Sequence, residues 1–319
     1  MSENQAQLVE MAERLFAELR GLPFEQAWPR IEEAGFGLMM IPEEDGGFGG
    51  DFRDLGAVMR LAGMHALSAP LGEHILARHV LHQAGVEAPD GMLSLAEKHG
   101  ARVPWGRFAA GVVVEHDEAA LLVSGAIEEG SNPAGEPRDG LRYEIDQATP
   151  LGPAYPLFDW VAWLRVCQTA GALDAALALA IEHCSQRTQF GRPLSKFQAV
   201  QQSIALIACE AAAVNCAAQG AARALDYGGA RFEVGAAKLR ANRAIGTGTA
   251  LAHQVHGAIG FTREYPLNEL TRRMMGWRSE GGTDAYWSLW LGRHVSMMHS
   301  VEMWDQLTLR SDLMNQDLI

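Results

Sequence analysis

Residues 187–198 read RTQFGRPLSKFQ, and the architecture follows from what this stretch interrupts. On its N-terminal side, from Trp160 to about Gln186, the chain is apolar almost all round, which predicts a central helix buried on every face. On its C-terminal side, from Lys196 to Tyr227, the residues Val200, Ile204, Ile207, Ala211, Val214 and Ala218 recur four and three apart, the seam of a packed helix. Gly228 and Gly229 stop that helix. A third helix covers Arg231 to about His256, and another follows Thr283. Abundant alanine lets these helices approach closely, predicting bundle packing and subunit contact. The quoted stretch is the hinge between two long helices.

The hinge also offers chemistry. Arg187 lies at a helix C-terminus facing a glycine turn, and its fork suits a pyrophosphate held through two hydrogen bonds. Gln189 and Gln198 supply amides, while Phe190 and Leu194 supply apolar walls for a flat ring. The same residues also describe a capped interhelical turn with no ligand, and spacing alone favours that reading.

Composition narrows the classes. The chain has 319 residues, long enough for two or three packed units sharing a large core, and 48% of them are hydrophobic. The formal net charge of −13, with scattered Lys and Arg, argues against a nucleic-acid surface. No stretch reaches the ~18 uncharged apolar residues of a membrane span. The amphipathic start, MSENQAQLVEMAERLF, lacks the basic and apolar regions of a secretory signal. Cys167, Cys184, Cys209 and Cys216 form no CxxC pair and read as buried, reduced thiols, so the expected address is cytoplasmic. His253 and His256 form a single HxxH without further ligands, which fits packed histidines better than a metal site.

The chain divides into regions 1–88, 89–158 and 159–319. The first is helical, beginning with the apolar face Leu8, Met11, Leu15 and Leu19. Gly21 and Pro23 end that helix, a short one runs through Trp28 and Ile31, and others cover Asp51 to His65 and Gly72 to Gln83. Between them GFGLMMIPEEDGGFGG ends in a glycine cluster that does not fit GxxxxGK[ST] and follows three acidic residues; it reads as a turn or substrate-side loop rather than a phosphate cradle. The second region holds short runs, MLSLAE, AAGVVVEHD, AALLVSGAI and LRYEI, expected as small antiparallel strands that pack on the helices. Pro150, Pro153 and Pro156 hold the exit extended.

RTQFGRPLSKFQAVQ resembles the C-terminal helical-domain motif of the acyl-CoA dehydrogenase family. GFGLMMIPEEDGGFGG resembles its N-terminal loop, QVHGAIGFTREYPLNELTRR its second flavin-binding stretch, and EGGT the late motif that often carries the base. All four fall in the family's order. The resemblance implies a mainly α fold with an N-terminal helical domain, a small central β domain and a C-terminal four-helix bundle. It implies FAD at a subunit interface, with Arg187, Gln189 and Phe190 contacting a partner's FAD and Leu194 and Gln198 near the adenine end. Gln254, Gly257 and Ala258 match the second stretch, and Thr283 matches the threonine that approaches the chain's own flavin. The implied reaction is α,β-desaturation of an acyl-CoA thioester, with a carboxylate taking the α-proton and electron-transfer flavoprotein as the acceptor.

Two departures from the family pattern shape the expectation. The β region is roughly half as long, without counterparts of the TEP-type loop or Trp-Ile-Thr-type strand that hold the flavin ring. Aligned without gaps from EYPLNEL, Gly281 falls where the usual glutamate belongs, with Glu280 one residue early. The alternative base position falls near Leu164, beside Arg165. This combination resembles the small subunits of heteromeric acyl-CoA dehydrogenases of bacterial steroid degradation, which complete the FAD site of a larger, base-carrying subunit. The alternatives are a homo-oligomer (a dimer of dimers) using Glu280 as catalytic base, and an inactive helical assembly protein.

Overall fold

The computed structural model describes residues 3–96, 101–298, 303–305 and 308; the outer ends of the first and last regions, and Glu97 of the first strand-like run, lie outside the described residues. Four helices open the chain: α1 (Glu3–Leu19), α2 (Phe24–Glu33), α3 (Phe52–Met64) and α4 (Leu71–Gln83). The buried line of α1 is Leu8, Ala12, Phe16 and Leu19, with Met11 and Leu15 half-buried at its edge. Asp51 starts α3 with a reciprocal capping box: its side chain accepts from Asp54 N, and Asp54 accepts from Asp51 N.

The glycine cluster behaves as a turn. The amides of Gly47, Phe48, Gly49 and Gly50 donate to the carbonyls of Pro42, Leu38, Ile41 and Met39. The N–H groups a phosphate cradle would present are therefore already used. Met39, Met40 and Leu71 are buried in the core beneath.

Among the described residues seven strands follow: β1 (Leu93–Leu95), β2 (Val103–Pro104), β3 (Gly111–His116), β4 (Ala119–Val123), β5 (Ala126–Glu128), β6 (Arg138–Arg142) and β7 (Thr149–Pro153). They form a sheet in the order β1-β3-β4-β7 and a smaller one in the order β2-β6-β5. The β1–β3 pair is parallel, not antiparallel, because the chain leaves through β2 before returning. Pro150 and Pro153 of the exit lie in strand β7, which pairs with β4 at the sheet edge, where missing N–H groups are tolerated, while Pro156 precedes α5. Leu93, Leu95, Val113, Ala120 and Leu151 join the main helical core. A second small core forms within the β region, with Ala96, Val103, Val112, Val114, Leu121, Val123 and Leu141.

The last region begins with α5 (Leu157–Gln186), which a short hairpin, β8 (Thr188–Gln189) and β9 (Arg192–Pro193), connects to α6 (Gln198–Tyr227). Next come α7 (Arg231–His256), α8 (Pro266–Trp277) and α9 (Asp284–Ser296). Helix α5 is the axle, packing on α3, α6, α7 and α8. Its crossing with α3 is close: a Cβ on Gly171 would lie 1.7 Å from the Arg60 carbonyl oxygen.

By length and hydropathy both α5 and α6 are long and apolar enough to cross a membrane, contrary to the expectation that no stretch is. In this fold α5 is a core helix. Helix α6 turns Ile207, Ala211, Val214 and Ala218 inward and leaves Leu206, Cys209, Ala212 and Cys216 exposed. Cys167 and Cys184 are buried thiols as expected; Cys209 and Cys216 are not, because they face outward from α6.

Candidate functional site

At one end of the bundle the chain builds an open groove of about 560 Å³. Its walls are the last turn of α5, the β8–β9 hairpin, the first turns of α6 and the short 3-10 segment Gly257–Phe261 that continues α7. Residues far apart in sequence meet here. Arg187, Gln189 and Leu194 come from the hinge, and Gln254, Gly257 and Ala258 from the second stretch. His183, His256, Val200 and Ser203 complete much of the lining and were not among the expected site residues.

The groove is suited to an anion. The Arg187 side chain is exposed and, among the described residues, has no ion-pair or hydrogen-bond partner, so its donors are free. Among the described residues no acidic side chain lines the groove. Gly257 sits at φ 65°, ψ −144°, a conformation that side chains strongly disfavour, and a Cβ there would meet nothing within 4 Å. A ligand can therefore reach bare backbone at that point.

The remaining expected residues lie at or beyond the edge. Phe190 forms the hairpin tip at φ 51° and is 90% exposed, with its ring edge-on to Phe197. Gln198 is exposed at the start of α6, next to Ala199 in the wall. Thr283 stands apart from the groove: its hydroxyl accepts from Tyr286 N at 3.2 Å and caps α9.

Glu280 is where the structure departs from a base. A carboxylate that removes a proton needs a raised pKa and access to substrate. Glu280 is 3% exposed and enclosed by ion pairs. Arg138 Nε donates to Oε1 at 3.0 Å, Arg138 Nη2 to Oε2 at 3.2 Å, and Arg165 Nε to Oε2 at 2.6 Å. Burial alone would push the carboxyl up, but the two guanidiniums overcome it and hold it down at about 2. The network extends in both directions. Arg165 also binds Glu73 and Gln168, Arg138 binds Glu136, and Glu136 accepts from Arg273 at 2.7 Å. It ties α4, α5, β6 and α8 together, with Arg138 5.0 Å above the Trp105 ring. The space beside it, bounded by Trp105 and Trp277, leaves no room for a water-sized sphere.

The adjoining glycines explain the missing glutamate. Gly281 has φ 63°, and a Cβ there would lie 2.4 Å from the Ala162 Cα, inside the backbone of α5. The turn is then clamped: Trp287 Nε1 donates to Gly281 O at 2.8 Å, and the buried Lys238 donates to Trp277 O and Gly282 O. No larger residue enters position 281 without moving α5.

Packed long helices around a small β unit are also the fold of butyryl-CoA dehydrogenase from Megasphaera elsdenii, which superposes with a TM-score of 0.75 at 15% identity. Residues 156–295 match the family described as acyl-CoA dehydrogenase, C-terminal domain. Among relatives, it is 28% identical to acyl-CoA dehydrogenase IpdE2 of Mycobacterium tuberculosis over 79% of this chain and 81% of that protein. Among solved structures, a chain of the ChsE4-ChsE5 complex from Mycobacterium tuberculosis superposes with a TM-score of 0.82 at 19% identity, covering 94% of this chain and 99% of that one. A chain of the Tcur3481-Tcur3483 steroid ACAD gives 0.83 at 19%, covering 92% and 98%.

Proposed function

We propose that this chain is the smaller subunit of a heteromeric, FAD-dependent acyl-CoA dehydrogenase, completing the FAD site of a larger partner that supplies the base. One observation carries the reading. The position where the family's glutamate belongs is Gly281, pressed against the α5 backbone, and the neighbouring Glu280 is locked between two arginines. The groove fits the adenine-diphosphate half of FAD in donor chemistry and size. Arg187 would take diphosphate oxygens, Gln189 and Gln254 polar edges, and Leu194 and Val200 an apolar ring face. The exposed backbone at Gly257 and Ala258 would lie along the chain of phosphates.

Bound FAD would supply the two-electron oxidation of the thioester's Cα–Cβ bond. This chain's residues would bind and orient the cofactor, while Glu280, the carboxylate nearest the family's base in sequence, is engaged in ion pairs. Exposed apolar side chains at the groove end, Phe190, Ile259 and Phe261, support cover by another subunit. The likeness to IpdE2 and to a structure described as a steroid ACAD supports an acyl-CoA thioester of steroid origin as substrate. Electron-transfer flavoprotein as acceptor and a cytoplasmic address complete the proposal.

The test is the visible spectrum and thioester oxidation of the purified chain, alone and co-expressed with the larger subunit. Flavin colour and turnover are expected only in the mixed assembly, and Arg187→Gln should weaken flavin retention there. A fully flavinated, active preparation of this chain alone would overturn the proposal.

A further inference from the structure

The groove contains a buried hydrogen-bonding atom without a partner. His256 closes α7, is 5% exposed and lines the groove with His183 and Arg187. Its Nδ1 lies 2.7 Å from the Ala252 carbonyl oxygen. A carbonyl only accepts, so Nδ1 carries the ring proton, and in the neutral ring Nε2 is left as an acceptor. That Nε2 has no partner among the described residues. The ring is held in place: His183 stacks on it with centroids 4.8 Å apart at 27°, and Tyr265 packs against it at 5.1 Å. A buried acceptor left unmatched is costly, which makes the site receptive to a donor from a ligand.

From this we infer that His256 is a specificity-determining residue, whose Nε2 accepts a hydrogen bond from a hydroxyl or amino group of the ligand whose phosphates Arg187 binds. The inference rests on the proposed nucleotide reading of the groove and adds to it. Arg187 selects for negative charge, which any phosphate satisfies, whereas His256 selects for a donor at a fixed place beside it. Two groups on an adenosine diphosphate moiety have that chemistry, the ribose hydroxyls and the 6-amino group of the base. His183 acts as a positioning residue, keeping the His256 plane fixed.

The experiment is calorimetric titration of the full chain with ADP, 2′-deoxy-ADP, 3′-deoxy-ADP and inosine 5′-diphosphate, the last replacing the amino donor with a carbonyl acceptor. One analogue is expected to bind about tenfold more weakly than ADP, the scale of one lost hydrogen bond to a buried partner. The analogue that fails identifies the donor. His256→Phe should bind ADP and that analogue alike; His256→Gln, which keeps an accepting oxygen, should retain part of the selection; His183→Phe should retain it. Equal binding of all four ligands by the unmodified chain overturns the inference without any variant having to fold. Selection that survives in a folded His256→Phe chain also overturns it. Failure of ADP to bind at all overturns the nucleotide reading of the groove, and this inference with it.

Discussion

Replacing Glu280 by Gln separates a base from a structural ion pair, because the two roles predict opposite losses. The substitution keeps size and removes one buried negative charge between Arg138 and Arg165. Arg165 retains Glu73 and Gln168, and Arg138 retains Glu136, so neither guanidinium is wholly stripped. The carboxyl is held at about 2 against an ordinary 4.5, a difference equivalent to about 3 kcal/mol of folding free energy. Breaking a buried pair from one side costs roughly 3–5 kcal/mol by independent reasoning. The sign with pH is fixed. Above pH 4.5 the group is ionised in both folded and unfolded chains, and its contribution is fully present. As the pH falls from 4.5 towards 2 the unfolded chain takes up the proton first, and the contribution disappears. Urea unfolding followed by tryptophan fluorescence should therefore show Glu280→Gln less stable by about 3 kcal/mol at neutral pH, with the gap to the parent narrowing below pH 4.5. Turnover of the mixed assembly, measured where the variant is folded, should be retained. A stability loss under about 1 kcal/mol at neutral pH, the range of ordinary surface changes, refutes the structural role. Loss of turnover with flavin and fold intact would instead restore Glu280 as the base.

Two further outcomes follow from the same geometry. Gly281→Glu, which restores the family residue at the family position, should destabilise the chain by several kcal/mol and add no activity; the Cβ has no space against Ala162, and the positive φ adds strain of roughly 1–3 kcal/mol, read from the thermal midpoint and soluble yield. In the native isolated chain a thiol-alkylating reagent should label Cys209 and Cys216 quickly. Cys167 and Cys184 should react only on unfolding, because burial closes access to them and pushes their thiols up, and mass spectrometry of the labelled peptides checks it.

Much of the fold was legible because its signals are local. The boundaries read for α5, α6 and α7 lie within three residues of those observed, since uninterrupted apolar periodicity and the Gly228–Gly229 stop act within one segment. The parallel β1–β3 pairing was not legible: it depends on where the chain returns after β2, which no alternation pattern encodes. The outward direction of Cys209 and Cys216 was missed for a related reason. Both are spaced seven apart on α6, as a core seam would be, and only packing decides which face of an alanine-rich helix turns inward. Part of the groove was also visible, since Arg187, Gln189 and Leu194 are contiguous and Gln254, Gly257 and Ala258 form one short run. His183 escaped notice and His256 was read only as a packed histidine, because each alone looks like an ordinary helical histidine. What distinguishes them is the stack across 73 positions and the unmatched nitrogen, both properties of the assembled fold.

The role of Glu280 shows most clearly why register in a sequence and chemistry in a site can part company. A glutamate one position from the family's base looks like a base displaced by one step, and two flexible glycines invite the idea that it swings back. The partners that fix it lie 115 and 142 positions away, on α5 and β6, so nothing near it in sequence announces them. Those same partners remove the freedom the glycines suggested. Gly281 is a glycine because α5 leaves no space for a side chain, and Gly282 has its carbonyl held by Lys238 and Asn242. The turn is thus closed from three sides, and its carboxylate serves as the joint between the N-terminal helices, the β region and the bundle. A buried carboxylate that two arginines hold in its ionised form is a poor acceptor for a substrate proton.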